Sequence, residues 1–229
     1  MLKRHLNLVL DLLFPPLCIV CNNALINQEE QLCVTCLTNL PYLTVLEQSK
    51  VEQLFWGIIK LESAIALIHY TKDSPYTQII KELKYNNNKS IAPFIGTLLS
   101  SKIIKEHRKH PIDALIPVPL HKEKYNKRGF NQAELIAKEI SRHTGIPVVL
   151  NVLEKTKNKE SQTNKKKYQR WENSLSTYKV NPTSNLENKH ILLIDDVLTT
   201  GATLASCAKE LIETSQCKVS IATFAISDG

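Results

Sequence analysis

One stretch constrains this chain more than any other. Residues 191–203 read Ile-Leu-Leu-Ile-Asp-Asp-Val-Leu-Thr-Thr-Gly-Ala-Thr. An apolar strand here, Ile191–Ile194, delivers two carboxylates, Asp195 and Asp196, at its carboxyl end, which is where open α/β sheets bind ligands. A Thr-Thr-Gly-x-Thr turn follows and runs into a helix. Backbone N–H groups at such a helix start, with hydroxyls beside them, suit a phosphate, and Gly201 lets the main chain approach the anion closely. One loop thus offers acceptors for vicinal hydroxyls and donors for a phosphate, the two features a ribose 5-phosphate carries side by side. A Walker B strand also ends in acidic residues, but it requires a GxxxxGK[ST] loop upstream, and the chain has none.

The surrounding pattern predicts the sheet such a strand needs. Ser63–Tyr70 reads as a strand, Pro75–Lys84 as an amphipathic helix through Ile79, Ile80 and Leu83, and Ile91–His107 as a second helix closed by Pro111. Tyr85–Lys89 is a turn by composition. Ala114–Val118 is a short strand, Asn131–His143 a helix stopped by Gly145, and Val148–Leu153 a strand. Lys155–Arg170 is a polar, basic loop of a length that points to function or disorder. Ala202–Glu213 is a helix and Lys218–Ile226 a final strand. Strands alternating with helices imply an α/β fold with a mostly parallel sheet, and a hydrophobic share of 43% supplies a core for it.

Ahead of that domain lie Cys18-x-x-Cys21 and Cys33-x-x-Cys36, separated by eleven residues. Two thiolates three apart can grip one metal from a tight turn, and a second such turn completes the tetrahedron Zn²⁺ prefers. A closed four-thiolate shell leaves no open position, so the zinc is expected to be structural and to supply much of the folding free energy of a segment too small to bury a core. Disulfides would need an oxidising compartment, and a thioredoxin-like CxxC would stand singly at a strand-to-helix junction. Cys207 and Cys217 read as ordinary packed residues.

Lys3, Arg4 and His5 precede an apolar run that resembles the start of an export signal. Asp11 interrupts the run, Pro15-Pro16 ends it, and no small-x-small cleavage site follows. It falls short of the roughly 20 apolar residues that span a bilayer. Leu2, Leu6, Val9, Leu10 and Leu13 lie at helical spacing, so a short docking helix, no membrane insertion and a cytoplasmic protein are expected. The formal charge of +7 favours anionic partners such as phosphorylated metabolites or nucleic acid. The chain divides into residues 1–45, a helix and zinc module, and residues 46–229, the α/β domain.

The Asp195–Thr203 stretch resembles the phosphoribosyl pyrophosphate (PRPP) motif of type I phosphoribosyltransferases. More narrowly, the chain resembles the ComF (ComFC/GntX-like) family, linked to DNA uptake in competent bacteria. The likeness includes Leu13–Cys18, the paired cysteines, Ile116-Pro-Val-Pro-Leu120, Arg128-Gly-Phe-Asn-Gln132 and Ser161-Gln162-Thr163. It implies a type I phosphoribosyltransferase-like, mostly parallel sheet flanked by helices behind a four-cysteine zinc module. It also implies that Asp195 and Asp196 hold the ribose hydroxyls, directly or through Mg²⁺, and stabilise positive charge as pyrophosphate leaves. Thr199, Thr200, Gly201, Ala202 and Thr203 would cradle the 5-phosphate. The segment after Ala114–Val118 corresponds to the pyrophosphate loop, a basic loop at Lys122–Arg128 with Arg128 and Lys127 among its cations. Lys155–Arg170 corresponds to the flexible catalytic loop, with Gln162 and Thr163 matching its pattern and Arg170 and Asn173 fitting a downstream Arg-x-x-Asn. Lys165–Lys167 departs from that pattern.

Two functions follow. The first is Mg²⁺-dependent transfer of a phosphoribosyl group from PRPP to an acceptor that no residue identifies. The alternative is a nucleic-acid-binding competence factor, with PRPP in a regulatory or non-catalytic role and single-stranded DNA and other competence proteins as partners.

Overall fold

A computed structural model of the chain describes residues 14–26, 28–85, 88–155, 178–182 and 184–227. The expected docking helix over Leu2–Leu13 and the calls on Gln162, Thr163, Lys165–Lys167, Arg170 and Asn173 lie outside them. Described helices are α1 (Val34–Thr38), α2 (Val45–Gln53), α3 (Thr77–Tyr85), α4 (Ile91–Lys109), α5 (Lys122–Arg128), α6 (Gln132–Thr144) and α7 (Ala202–Ser215). Strands are β1 (Ala64–Tyr70), β2 (Ala114–Pro117), β3 (Leu153–Lys155), β4 (Tyr178–Val180), β5 (His190–Leu198) and β6 (Lys218–Ser227).

Strands β1, β6, β5 and β2 form a sheet in that order, and every pairing in it is parallel. Parallel sheets are covered on both faces, and the side-chain alternation of each strand builds two cores here. Leu115, Leu192, Ile194, Ala222 and Phe224 join Ile79, Leu83, Ile95, Leu99 and Ile136 from α3, α4 and α6. Ala114, Ile116, Ile191, Leu193, Val219 and Ile221 join Val51 and Phe55 from the α2 region and Leu204, Cys207 and Leu211 from α7. Full burial of each such aliphatic side chain contributes about 1.5–3 kcal/mol. A Cβ on Gly96 of α4 would lie 2.6 Å from the Glu139 Cβ of α6, so glycine is what lets these helices cross closely.

The zinc module shares the first core through Cys18, Leu25, Leu32 and Cys36. Pro41 O accepts from His69 N at 2.9 Å and Leu67 O accepts from Leu43 N at 3.1 Å, which occupies the outer edge of β1. The Tyr76 hydroxyl at the foot of α3 donates to Cys36 O at 3.2 Å.

Three expected elements differ. Strand β5 continues past the acidic pair to Leu198, because β6 keeps pairing with it through Asp195–Thr223, Val197–Ala225 and Leu198–Ile226. The Val148–Leu153 strand is divided: Val148 bridges Leu115, and Asn151, with φ 57°, turns the chain before β3 pairs antiparallel with β4. The basic loop at Lys122–Arg128 is a helix. His121 Nδ1 accepts from Glu123 N at 3.3 Å to start it, and Gly129, at φ 74°, ends it by donating to Tyr125 O.

Candidate functional site

Strand β2 stops at Pro117, and its last link to β5 is Val118 N to Ile194 O at 2.9 Å. Among the described residues β5 is paired on one side only beyond that point, so the outline of the sheet has a notch above the end of β2, and Asp195 and Asp196 stand on the stretch of β5 beside it. Successive strand residues face opposite ways. Asp196 reaches toward the α3 side, where its Oδ1 lies 3.2 Å from Lys84 Nζ. Asp195 lies on the α7 side, within the electrostatic reach of Lys155 and Cys207, and its Oδ1 accepts from Asp196 N at 2.8 Å. Burial, followed by the adjacent Asp196 charge, pushes the Asp195 carboxyl up to about 7, although the Asp196 N–H, Lys84 and Lys155 act in the opposite direction.

The turn that follows is built on Phe55. Gly201 has φ 75°, a conformation L side chains rarely adopt, and a Cβ there would lie 3.1 Å from the Phe55 ring. Thr199, Thr200 and Thr203 are exposed and Ala202 is half-buried. The first amides of α7 have no partner within the helix. Ala202 N donates to Thr200 Oγ1 at 3.5 Å, so hydroxyls and N–H groups gather at one helix start, beside the acidic pair.

The predicted cations arrive from α5 and its end. Arg128 stacks over the Tyr85 ring at 5.9 Å, and Tyr85 directly follows Lys84. Lys127 lies in the last turn of α5. Asn131 caps α6 through Ala133 N at 3.1 Å and donates to Val118 O at 3.0 Å, anchoring the segment to the end of β2.

Three further residues at the site, Lys84, Phe55 and Tyr178, were not among the expected ones, and Lys155, expected as the first residue of the flexible loop, ends β3 instead. Lys84 and Phe55 contact the acidic pair and Gly201, respectively. Lys155 and Tyr178 face each other across the β3–β4 ladder, with Lys155 Nζ 5.4 Å from the Tyr178 ring. They are the roots of the segment 156–177. No spacing rule links Lys84, Phe55 or Tyr178 to the motif. The one sequence sign was a lysine and a tyrosine directly after the apolar face of α3.

The four cysteines form a second centre. Their Sγ atoms all lie within 4.8 Å of one another, and Cys21 Sγ to Cys33 Sγ is 3.7 Å. A tetrahedron with Zn–S bonds of about 2.3 Å has edges of about 3.8 Å, so the donor set fits zinc. Cys36 N donates to Cys33 Sγ at 3.5 Å, the N–H to sulfur bond of a metal-gripping turn. Burial raises the Cys18 thiol, but backbone N–H groups of Cys21, Cys33 and Val20 outweigh it and lower it to about 6.

Comparison with known proteins finds two families along the chain. The phosphoribosyl transferase domain family matches residues 126–228, and the double zinc ribbon domain family matches residues 9–46. Competence protein F of Haemophilus influenzae is 29% identical over 154 residues, covering 66% of this chain and 66% of that protein. Competence protein ComFC of Bacillus subtilis is 34% identical over 147 residues, covering 63% of this chain and 56% of that protein. The chain is similar to ComF-family competence proteins and carries a region that matches the phosphoribosyl transferase domain.

The match thus spans between 56% and 66% of the length of these two ComF-family relatives. A purine phosphoribosyltransferase from Pyrococcus horikoshii aligns with TM-score 0.37 and 18% identity, covering 58% of this chain and 74% of that chain. The transferase match begins within α5, so it takes in Arg128, the acidic pair and the α7 turn but not Lys84 or Phe55. Among the described residues, no helix is long and apolar enough to cross a membrane.

Proposed function

We propose that this protein binds PRPP with Mg²⁺ at the notch between β2 and β5, as a phosphoribosyltransferase-like protein acting in the cytoplasm in competence and DNA uptake. One observation carries the reading: a one-sided strand end presents two carboxylates, and a glycine at φ 75° turns directly from it into a helix start. Asp195 and Asp196 are the oxygen donors for the ribose hydroxyls and for Mg²⁺, whose hard, oxygen-seeking character suits them. Bound there, the metal would neutralise pyrophosphate charge. Thr199, Thr200, Gly201, Ala202 and Thr203 hold the 5-phosphate through hydroxyl and N–H donors. Arg128 and Lys127 face the leaving group, and Gln162, Thr163 and Arg170 belong to the loop that closes over it and excludes water. The residues 1–45 act as a structural zinc unit for the domain of residues 46–229.

The test is calorimetry with PRPP, with and without Mg²⁺. Replacing Asp195 and Asp196 together by Asn should reduce PRPP affinity by at least about 10-fold, since amides reach hydroxyls but no longer attract the metal. Unchanged affinity in a folded, zinc-loaded double variant would place the ligand elsewhere. Pyrophosphate release with candidate acceptors then separates a transferase from a binding protein.

The second reading is a nucleic-acid-binding competence factor in which PRPP is regulatory. It is favoured by α5, which carries Lys122, Lys124, Lys127 and Arg128 with none of its residues buried, and by the exposed Tyr85 and Tyr125 beside these cations. Cationic side chains interleaved with exposed rings suit single-stranded DNA, and other competence proteins are the natural neighbours of such a module.

A further inference from the structure

Lys84 ends an amphipathic helix whose buried residues, Ile79, Ile80 and Leu83, already account for the docking of α3. Its ammonium is nevertheless directed at Asp196, at 3.2 Å, with side chains only 23% and 11% exposed. A partly desolvated pair of this kind adds little to stability beyond what apolar residues would supply in the same place. Its position is the informative part. Asp196 stands on β5 beside the notch above β2, and Lys84 is its only ion-pair partner among the described residues. The next residue, Tyr85, carries Arg128 over its ring, so the end of α3 links the acidic pair to the cations of α5.

We propose that Lys84 is an exchangeable counter-ion of the acidic pair, competing with a divalent cation for Asp196 and turning to the phosphate oxygens when a metal–pyrophosphate group enters. The inference rests on the reading above only in taking Asp196 as a metal ligand. An ammonium and a divalent cation cannot share one carboxylate oxygen without strong mutual repulsion, so metal entry must displace Lys84. A displaced ammonium next to an incoming pyrophosphate gains a new anionic partner, whereas displacement by metal alone leaves it with none. Metal and pyrophosphate should therefore bind cooperatively, and Lys84 should be the origin of the coupling.

The experiment measures Mn²⁺ binding by electron paramagnetic resonance, with and without inorganic pyrophosphate. Wild type, Lys84→Gln and Lys84→Arg are compared at matched zinc content and thermal midpoint. Wild type should bind Mn²⁺ alone weakly. Lys84→Gln should bind it about fivefold more tightly or better, from the loss of a partly buried competing charge. The same variant should bind pyrophosphate with Mn²⁺ several-fold more weakly than wild type, while Lys84→Arg, which keeps the charge, should restore both values toward wild type. Equal or weaker Mn²⁺ binding by Lys84→Gln, or a Lys84→Arg protein that behaves like Lys84→Gln, overturns the proposal. PRPP calorimetry on the same proteins separates the two ideas. PRPP binding that needs the acidic pair but ignores Lys84 leaves the function standing without this role. Lys84-dependent Mn²⁺ binding in a protein that does not take PRPP keeps the counter-ion and removes the function.

Discussion

Replacing Gly201 by Ala tests the phosphate turn at its most constrained point. The backbone there has φ 75°, and a Cβ would meet Phe55 Cε1 at 3.1 Å, Phe55 Cζ at 3.3 Å and Leu198 Cδ1 at 3.7 Å. Holding an L side chain in the left-handed region costs about 1–2 kcal/mol. The ring contacts are tighter than ordinary packing, and Phe55 is only 1% exposed, so it cannot swing into solvent. Relieving such a contact in a filled core adds about 1 kcal/mol or more. The total, about 2–4 kcal/mol, is a large part of the 5–15 kcal/mol that typically holds a domain together.

Denaturant unfolding followed by circular dichroism, with equal slopes for both proteins, measures this loss. A double-mutant cycle with Phe55→Leu separates its two causes. Shortening the ring should recover about 1 kcal/mol of the Gly201→Ala cost and leave the backbone part in place. A Gly201→Ala protein within about 0.5 kcal/mol of wild type, the range of ordinary surface changes, would refute the strained turn. Zero coupling in the cycle would refute the seat on Phe55.

Zinc should be present at one equivalent per chain, and its removal by a chelator should expose all four thiols and loosen the module more than the sheet, as read by thiol titration and amide exchange. Because that module packs against α3 and α4, some loss of protection there should follow. Asp195→Asn should change stability in a pH-dependent way in Mg²⁺-free buffer. The wild-type carboxyl titrates near 3.8 when unfolded and is raised to about 7 when folded, so its ionisation disfavours the folded state increasingly as pH rises between those values. Asn carries no such cost, so the variant should gain about 1–2 kcal/mol on wild type between pH 5.5 and pH 8. Parallel stability curves over that range would show that Asp195 is as well solvated as a surface carboxylate.

Much of this architecture was legible in the residues because the signals are local. The apolar faces of α3 and α6 repeat at helical spacing, and Asn131 and Gly145 bracket α6 as cap and stop. The paired CxxC turns need only short-range geometry to bring four sulfurs together. The errors have equally physical causes. Strand β5 was expected to end at Ile194 because polarity rises there, yet a parallel neighbour can hold a strand in place through residues of any polarity. The α5 helix was hidden because a run of seven charged and polar residues has no apolar face to give it away, and its helical state depends on the His121 cap and the Gly129 stop.

By itself, then, the sequence determined the alternation of strands and helices, the thiolate tetrad and the chemistry of the acidic pair with its hydroxyl turn. Each of these is encoded within a window of a few residues, where spacing alone dictates which groups meet. Only the tertiary structure decided that Asp195 and Asp196 face opposite ways, that Lys84 stands against one and Lys155 near the other, and that Phe55 seats Gly201. Those contacts join residues remote in the chain, and they exist because packing two layers of helices on a parallel sheet brings the ends of α3, β3 and the α2–β1 segment to one edge.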